Sequence, residues 1–149
     1  MTKTNSQKNI FSSEDALAFW IPNRKEEQAI NRRSHLENIT QVDEIWELLK
    51  DQLGDVLAVD SPHTFHPESF TYEELAENIS KAAFSFTQLG VGPDDVVALF
   101  AENSPRWLIA DQGLMRIGAA DSVRGATAPP SELRYILEDS NAVGLIVQN

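Results

Sequence analysis

Apolar residues recur every three or four positions between residues 42 and 53, which is the spacing of an amphipathic helix. Gly54 follows the last of them, where a helix stop is expected. The polar side of this helix is acidic, so we favour core packing over a membrane-surface or partner-binding role. The apolar face consists of Val42, Ile45, Trp46, Leu49 and Leu53, widened by Leu48.

A second helix is predicted behind a capping box. Thr71 and Glu74 have the Ser/Thr-x-x-Glu spacing in which the two residues cap each other's backbone N–H groups. Gly90 and Gly92 are expected to stop this helix. Its apolar face consists of Leu75, Ile79, Ala82, Ala83, Phe86 and Leu89.

Continuous apolar runs predict strands at residues 56–60, 96–100 and 143–147, with a short strand near Ala120. Two more helices separate the last three of these strands. One begins at Ser104, as N-cap, with Pro105 at the first helical position, and the other begins at residues 129–131. The order strand, helix, short strand, helix, strand predicts an α/β fold in which short parallel strands are joined by right-handed crossover helices.

The chain is predicted to have two parts. Residues 1–53 are read as an N-terminal tail, a short helix from about Ser12 to Pro22, and the amphipathic helix. Residues 54–149 are read as the α/β part, preceded by this helical N-terminal segment.

Composition and charge exclude several classes of function. The chain has no cysteine, which rules out disulfides, thiolate metal sites and a cysteine nucleophile, and fits a reducing cytoplasm. The net charge of −11 makes nucleic acid a poor partner, since an acidic surface repels phosphate backbones. No secretory signal and no apolar run near the ~20 residues of a membrane span is present, so we expect no transmembrane segment and a cytoplasmic location.

Candidate chemical groups are few. His63 and His66 flank a turn and are read as loop histidines rather than metal ligands. Arg124 and Gly125 follow a predicted strand, where an Arg could contact an anion or instead pair with Asp121 or Glu132. Trp107 is read as a core residue rather than a wall of a substrate pocket.

Three stretches resemble the adenylate-forming superfamily, and within it the long-chain fatty acid CoA ligases and acyl-ACP synthetases. Residues 70–75, Phe-Thr-Tyr-Glu-Glu-Leu, look like the family's "T-Y-x-E-L" element, and residues 96–107 and 109–113 look like its next strand, turn and helix. Residues 118–126 are similar to "G-A-V-x-V-V-R-G", although Ala120 and Ser122 stand where larger apolar residues are expected. The resemblance covers residues 54–149 and implies part of the family's N-terminal subdomain.

The resemblance implies an enzyme that adenylates a fatty acid with ATP and magnesium and then passes the acyl group to CoA or acyl carrier protein. In the family the phosphate loop, the ribose and magnesium carboxylates and the catalytic Lys lie beyond the point that residue 149 matches. The seven glycines do not cluster, and Lys81 is the sole lysine after Lys50. We therefore expect no catalytic, cofactor-binding or metal-binding residue in this chain, and no activity from it alone.

Three interpretations remain open at this stage. The chain is read first as an N-terminal fragment of a ligase, truncated or split, whose partner is the remainder of that ligase. It is read second as a non-catalytic module that docks onto a complete synthetase, and third as an unrelated small α/β protein. If the family fold holds, the piece has an unpaired sheet edge, and we expect it to be marginally stable, prone to aggregation or partnered.

Overall fold

Four helices and five strands are present in residues 39–62 and 67–148, which are the residues that the computed structural model describes. They follow one another in the order α1, β1, β2, α2, β3, α3, β4, α4, β5. The helices are α1 (Glu44–Leu53), α2 (Tyr72–Gln88), α3 (Pro105–Arg116) and α4 (Pro130–Asp139). The strands are β1 (Leu57–Ser61), β2 (Glu68–Thr71), β3 (Val96–Phe100), β4 (Ala120–Arg124) and β5 (Gly144–Val147).

The predicted parallel sheet is confirmed for β3, β4 and β5. The strands lie in the order β4-β3-β5, and β3 runs parallel to both neighbours. Its residues Val97 to Phe100 are at most 4% exposed, because hydrogen bonding on both sides and helices on both faces enclose the strand. An apolar run without polar alternation is typical of such a central strand.

The strand predicted at 56–60 has a partner that the sequence did not predict. It forms as β1, shifted by one residue, and pairs antiparallel with β2 in a separate two-stranded sheet. Ser69 Oγ donates to Asp60 Oδ1 across this pair at 2.7 Å. Strand β2 has the sequence Glu-Ser-Phe-Thr, and a single apolar residue gives no periodic signal. The described strands are therefore not all parallel.

The predicted caps begin α2 and α3. Thr71 Oγ1 accepts from the Glu74 N–H at 3.2 Å, while Glu74 Oε2 accepts from the Thr71 N–H at 2.9 Å. Ser104 Oγ accepts from the Trp107 N–H at 3.1 Å, with Pro105 at the first helical position. Side chains thus satisfy backbone donors that an uncapped helix leaves unpaired.

The core lies between one face of the parallel sheet and the helices α2 and α3. At Gly113 the two helices approach so closely that an added Cβ would lie 2.9 Å from Ala82 Cβ and 3.2 Å from the Ala83 backbone nitrogen. The apolar cluster consists of Val97, Leu114 and Ala119, with Phe86, Val91, Ile117 and Ile146 packed around it.

Helix α1 packs against α2, as its apolar face predicted, except that Val42 lies before the helix and is 64% exposed. Two side-chain bonds also join α1 to α3. Trp46 Nε1 donates to Gln112 Oε1 at 2.7 Å, and Arg116 Nη2 bonds Glu47 Oε1 at 2.8 Å. The division at residue 53 stays a prediction, and the helix predicted near Ser12 lies outside the described residues. No helix among the described residues combines the length and the apolar character needed to cross a bilayer.

Candidate functional site

The carboxyl ends of the three parallel strands meet at one edge of the sheet, which is where open α/β sheets gather their ligands. Backbone bonds join these ends: the Ala101 N–H donates to Arg124 O at 3.1 Å, and the Gln148 N–H donates to Phe100 O at 3.2 Å. The Glu102 N–H also donates to Gln148 Oε1 at 2.9 Å. The residues that follow β3, β4 and β5 are therefore held together at this edge.

The Glu102 carboxylate occupies the turn after β4. Thr127 Oγ1 donates to Glu102 Oε1 at 3.4 Å, and a Cβ added at Gly125 would lie 3.2 Å from the same oxygen. Glycine at position 125 thus lets the turn approach the carboxylate closely. A negative charge at this place repels a phosphate rather than binding it.

Arg124 forms one of the two ion pairs that the sequence proposed for it. Its Nε donates to Glu132 Oε1 at 2.6 Å, and this hydrogen bond and the charge of Glu132 raise the pKa of the guanidinium. Asp121 lies three residues earlier on β4 and so on the opposite face of the sheet. The Glu132 carboxylate already neutralises the Arg124 guanidinium. The geometry therefore supports a structural role for Arg124 rather than a contact with an anion.

The remaining sequence candidates form no site with these groups. Trp107 is half-buried in the first turn of α3 and is not one of the fully buried core side chains. Its neighbour Arg106 joins α3 to β2 through a 2.6 Å ion pair with Glu68. His63 and His66 lie outside the described residues.

Two observations bear on the ATP and magnesium that the resemblance implies for the complete enzyme. No group of three or more His, Cys, Asp or Glu side chains in residues 39–62 and 67–148 is placed to hold a metal. A phosphate cradle needs successive backbone N–H groups in a glycine-rich loop. The glycine at this edge, Gly125, instead faces the Glu102 carboxylate.

A second polar cluster, which the sequence did not predict, lies on the other face of the sheet. Asp121 of β4 is within hydrogen-bonding range of Asp111 of α3, and Asp121 Oδ2 is buried with no donor. Burial, and then the hydrogen bond and charge of Asp111, raise the pKa of Asp121 to about 6. Ten positions and a turn separate the two residues, so no local pattern could reveal their contact.

The described fold is that of an α/β domain with parallel strands and crossover helices, and a family model identifies it further. The model described as AMP-binding enzyme matches residues 50–149. The chain therefore belongs to the AMP-binding enzyme family, as the motifs at residues 70–75, 96–107 and 118–126 indicated.

Curated relatives share this part of the chain. It is 41% identical over 108 residues to the probable acyl-activating enzyme 16, chloroplastic, of Arabidopsis thaliana, covering 72% of this chain and 15% of that protein. It is 39% identical over 108 residues to the chloroplastic long-chain-fatty-acid–[acyl-carrier-protein] ligase AEE15 of the same plant, with the same coverage of 72% and 15%. The chain thus spans about 15% of the length of these relatives.

Solved structures confirm the fold. The N-terminal subdomain of NpsA from Klebsiella oxytoca superposes with a TM-score of 0.65 at 28% identity, covering 73% of this chain and 28% of that one. The N-terminal domain of FACL13 from Mycobacterium tuberculosis superposes with a TM-score of 0.68 at 22% identity, covering 73% and 27%. The described residues correspond to a portion of the N-terminal subdomain of adenylate-forming enzymes.

Proposed function

We propose that this chain forms the early part of the N-terminal subdomain of a long-chain fatty acid ligase that transfers its product to acyl carrier protein. The observation that carries the proposal is the 39% identity over 108 residues to a relative named as such a ligase. The complete enzyme would use ATP and magnesium to adenylate the fatty acid carboxylate before the acyl group passes to a thiol.

Within that enzyme we assign residues 50–149 a scaffolding role. Glu102 holds the turn after β4, and the pair of Arg124 with Glu132 fixes α4 on the sheet. On the family resemblance, we infer that the ATP site belongs to other parts of the complete enzyme and that the chain alone is inactive. The relatives give no support to a separate docking module. The cytoplasmic location stays a prediction, and the two plant relatives are named as chloroplastic.

The experiment is a segment exchange. Residues 50–149 replace the matching segment of the Arabidopsis acyl-ACP ligase, and ATP-dependent acylation of acyl carrier protein by a long-chain fatty acid is measured. We expect the exchange to retain activity within about tenfold, which corresponds to about 1.4 kcal/mol in the activation free energy, because the two proteins are 39% identical over 108 residues. CoA in place of the carrier protein is the comparison acceptor.

The control is the same exchange carrying Gly113→Trp, which forces α2 and α3 apart and should abolish activity and folding together. A folded, soluble exchange enzyme without activity would contradict the scaffolding role. Pyrophosphate release by the 149-residue chain alone would contradict its inactivity.

A further inference from the structure

The parallel sheet packs against helices on both of its faces. On one face Val97 of β3 and Leu114 of α3 lie in the same apolar cluster. Arg124 of β4 pairs with Glu132 of α4, and its register partner on β3, Phe100, is three residues from Val97. Because side chains alternate along a strand, α4 packs on the face opposite to α3, which we call the α4 face.

The cover that α4 provides ends between β3 and β5. Ala98 and Phe100 of β3 lie on the α4 face and are 0% and 4% exposed. Their register partners on β5, Leu145 and Val147, lie on the same face in the same rows, yet they are 48% and 58% exposed. Val143, two residues earlier, is 61% exposed. Val143, Leu145 and Val147 therefore form an uncovered apolar strip beside α4.

The handedness of the connections assigns a helix to this strip. The connection from β3 to β4 crosses the sheet in one direction through α3, and the connection from β4 to β5 crosses it in the other direction through α4. Opposite directions on opposite faces give both connections the same hand, as the right-handed rule for parallel crossovers requires. For a further parallel strand joined to β5 at its free edge, the same rule places the connecting helix on the α4 face, over the strip.

The relatives contain enough additional chain to supply a helix and a strand. The present chain spans about 15% of the two plant proteins and 28% of the NpsA N-terminal subdomain. A second copy of this chain fits the strip less well, because each copy has a net charge of −11 and like charges repel. A later part of the same enzyme is therefore the occupant that these observations favour.

We propose that the strip of Val143, Leu145 and Val147 is the docking surface for an amphipathic helix of the complete ligase. This helix packs beside α4, and the strand joined to it pairs in parallel with β5. The apolar side of the helix covers the strip, and its polar side faces away from the sheet. The inference rests on the proposed function, since the occupant belongs to the same enzyme.

The first test uses a single thiol, because the chain has no cysteine of its own. Leu145→Cys is introduced into the dilute 149-residue chain and into the exchange enzyme, and its reaction with a maleimide is followed by mass spectrometry of the labelled peptide. We expect the thiol to react at least about tenfold more slowly in the exchange enzyme, because a covered thiol reacts only after local opening.

The matched control is Tyr135→Cys. Tyr135 is 64% exposed and lies one helical turn from Glu132, which pairs with Arg124 of β4, so it is on the side of α4 away from β5. Its thiol should react alike in both proteins. An equal rate for Leu145→Cys in the two proteins, or equal slowing at both positions, overturns the proposal. Protection that is lost when the exchange enzyme is diluted also overturns it, because a second copy is then the occupant.

Thiol protection and enzymatic activity are separate measurements, so the two proposals can fail separately. A protected strip in an exchange enzyme that does not acylate the carrier protein supports the docking surface and contradicts the proposed function. A reactive strip in an active exchange enzyme contradicts the docking surface and leaves the proposed function standing.

The second test needs no exchange enzyme to fold. Synthetic peptides that tile the Arabidopsis ligase beyond its matching segment are added to the ¹⁵N-labelled 149-residue chain, and its amide resonances are followed by NMR. We expect one peptide to shift the amides of Leu145 and Val147 and to leave that of Leu57, 53% exposed on β1, unmoved. Leu145→Asp should abolish the shifts. The proposal is overturned if no peptide perturbs β5, or if the shifts persist in Leu145→Asp.

Discussion

At Gly113 a hydrogen atom takes the place that a side chain would fill in most helix contacts. An added Cβ would meet Ala82 Cβ at 2.9 Å, the Ala83 nitrogen at 3.2 Å and Phe86 Cε2 at 3.3 Å. Ala82 and Ala83 belong to the rigid helix α2, so neither can give way cheaply. The close approach of α2 and α3 therefore depends on this one residue.

We predict that Gly113→Ala lowers the free energy of unfolding by about 1–3 kcal/mol, because overpacking outweighs the higher helix propensity of alanine. Urea denaturation followed by circular dichroism measures the loss. Gly92→Ala is the control, since its nearest neighbour is Asp95 Oδ2 at 4.0 Å. Ala82→Gly in the Gly113→Ala background should recover part of the loss, and strict additivity of the two changes would contradict the contact.

Residue-scale features were predictable from sequence where partners lie within one turn of helix. Thr71 with Glu74 and Ser104 with the Trp107 N–H are confirmed, because a capping spacing fixes the partner. The pairing of Arg124 was narrowed to two acids, of which the structure selects Glu132. Asp111 with Asp121 and Gly113 with Ala82 escaped prediction, since both contacts depend on how separate elements pack.

Helix α2 connects several elements of the described fold, since α1, β1, β2 and α3 all pack against it. Its N-terminus carries the complete capping box, and its first turn contains two acidic residues. Their negative charges interact favourably with the positive end of the helix dipole. A change that destabilises the N-terminus of α2 therefore affects both the two-stranded sheet of β1 and β2 and the core.

We predict that Thr71→Ala costs about 1 kcal/mol of stability, because it leaves the Glu74 N–H without its acceptor. Chemical denaturation is the measurement. Thr87→Ala in the same helix is the matched control, since the Thr87 hydroxyl donates back to Ala83 O and caps nothing. Equal effects of the two substitutions would mean that the cap contributes no more than an exposed threonine.

At the element scale the sequence predicted the four described helices and the three parallel strands, because each has a long periodic or continuous apolar signal. It did not predict β2, whose four residues include one apolar side chain. The antiparallel partner of β1 was therefore missing from the prediction. Short half-exposed strands are specified by their partner rather than by their own pattern.

In the described residues the three-stranded sheet has two outer edges, and its β5 edge is apolar. Alternate residues Val143, Leu145 and Val147 are 61%, 48% and 58% exposed on one face. Unpaired strand edges with exposed apolar side chains favour association between chains. This edge is the physical argument for the sequence-based expectation of an aggregation-prone piece, which stays a prediction.

We predict that Leu145→Lys reduces concentration-dependent association of the 149-residue chain, because a charged side chain on an outer strand opposes pairing. Light scattering after size-exclusion chromatography measures it. Val42→Lys, 64% exposed and outside the sheet, changes the net charge equally and is the control. If both substitutions reduce association alike, charge alone and not the β5 edge is responsible.

The order β4-β3-β5 also has a consequence for synthesis on the ribosome. Strand β3 is made before both of its partners, and β4 emerges before β5, so one edge of β3 stays open until Val147 has left the tunnel. This is the most apolar strand of the described fold. If the ribosome pauses between Arg124 and Gly144, the unpaired edge of β3 is exposed to chaperones or to a neighbouring nascent chain. The rate of translation over that interval therefore affects whether the polypeptide folds or aggregates.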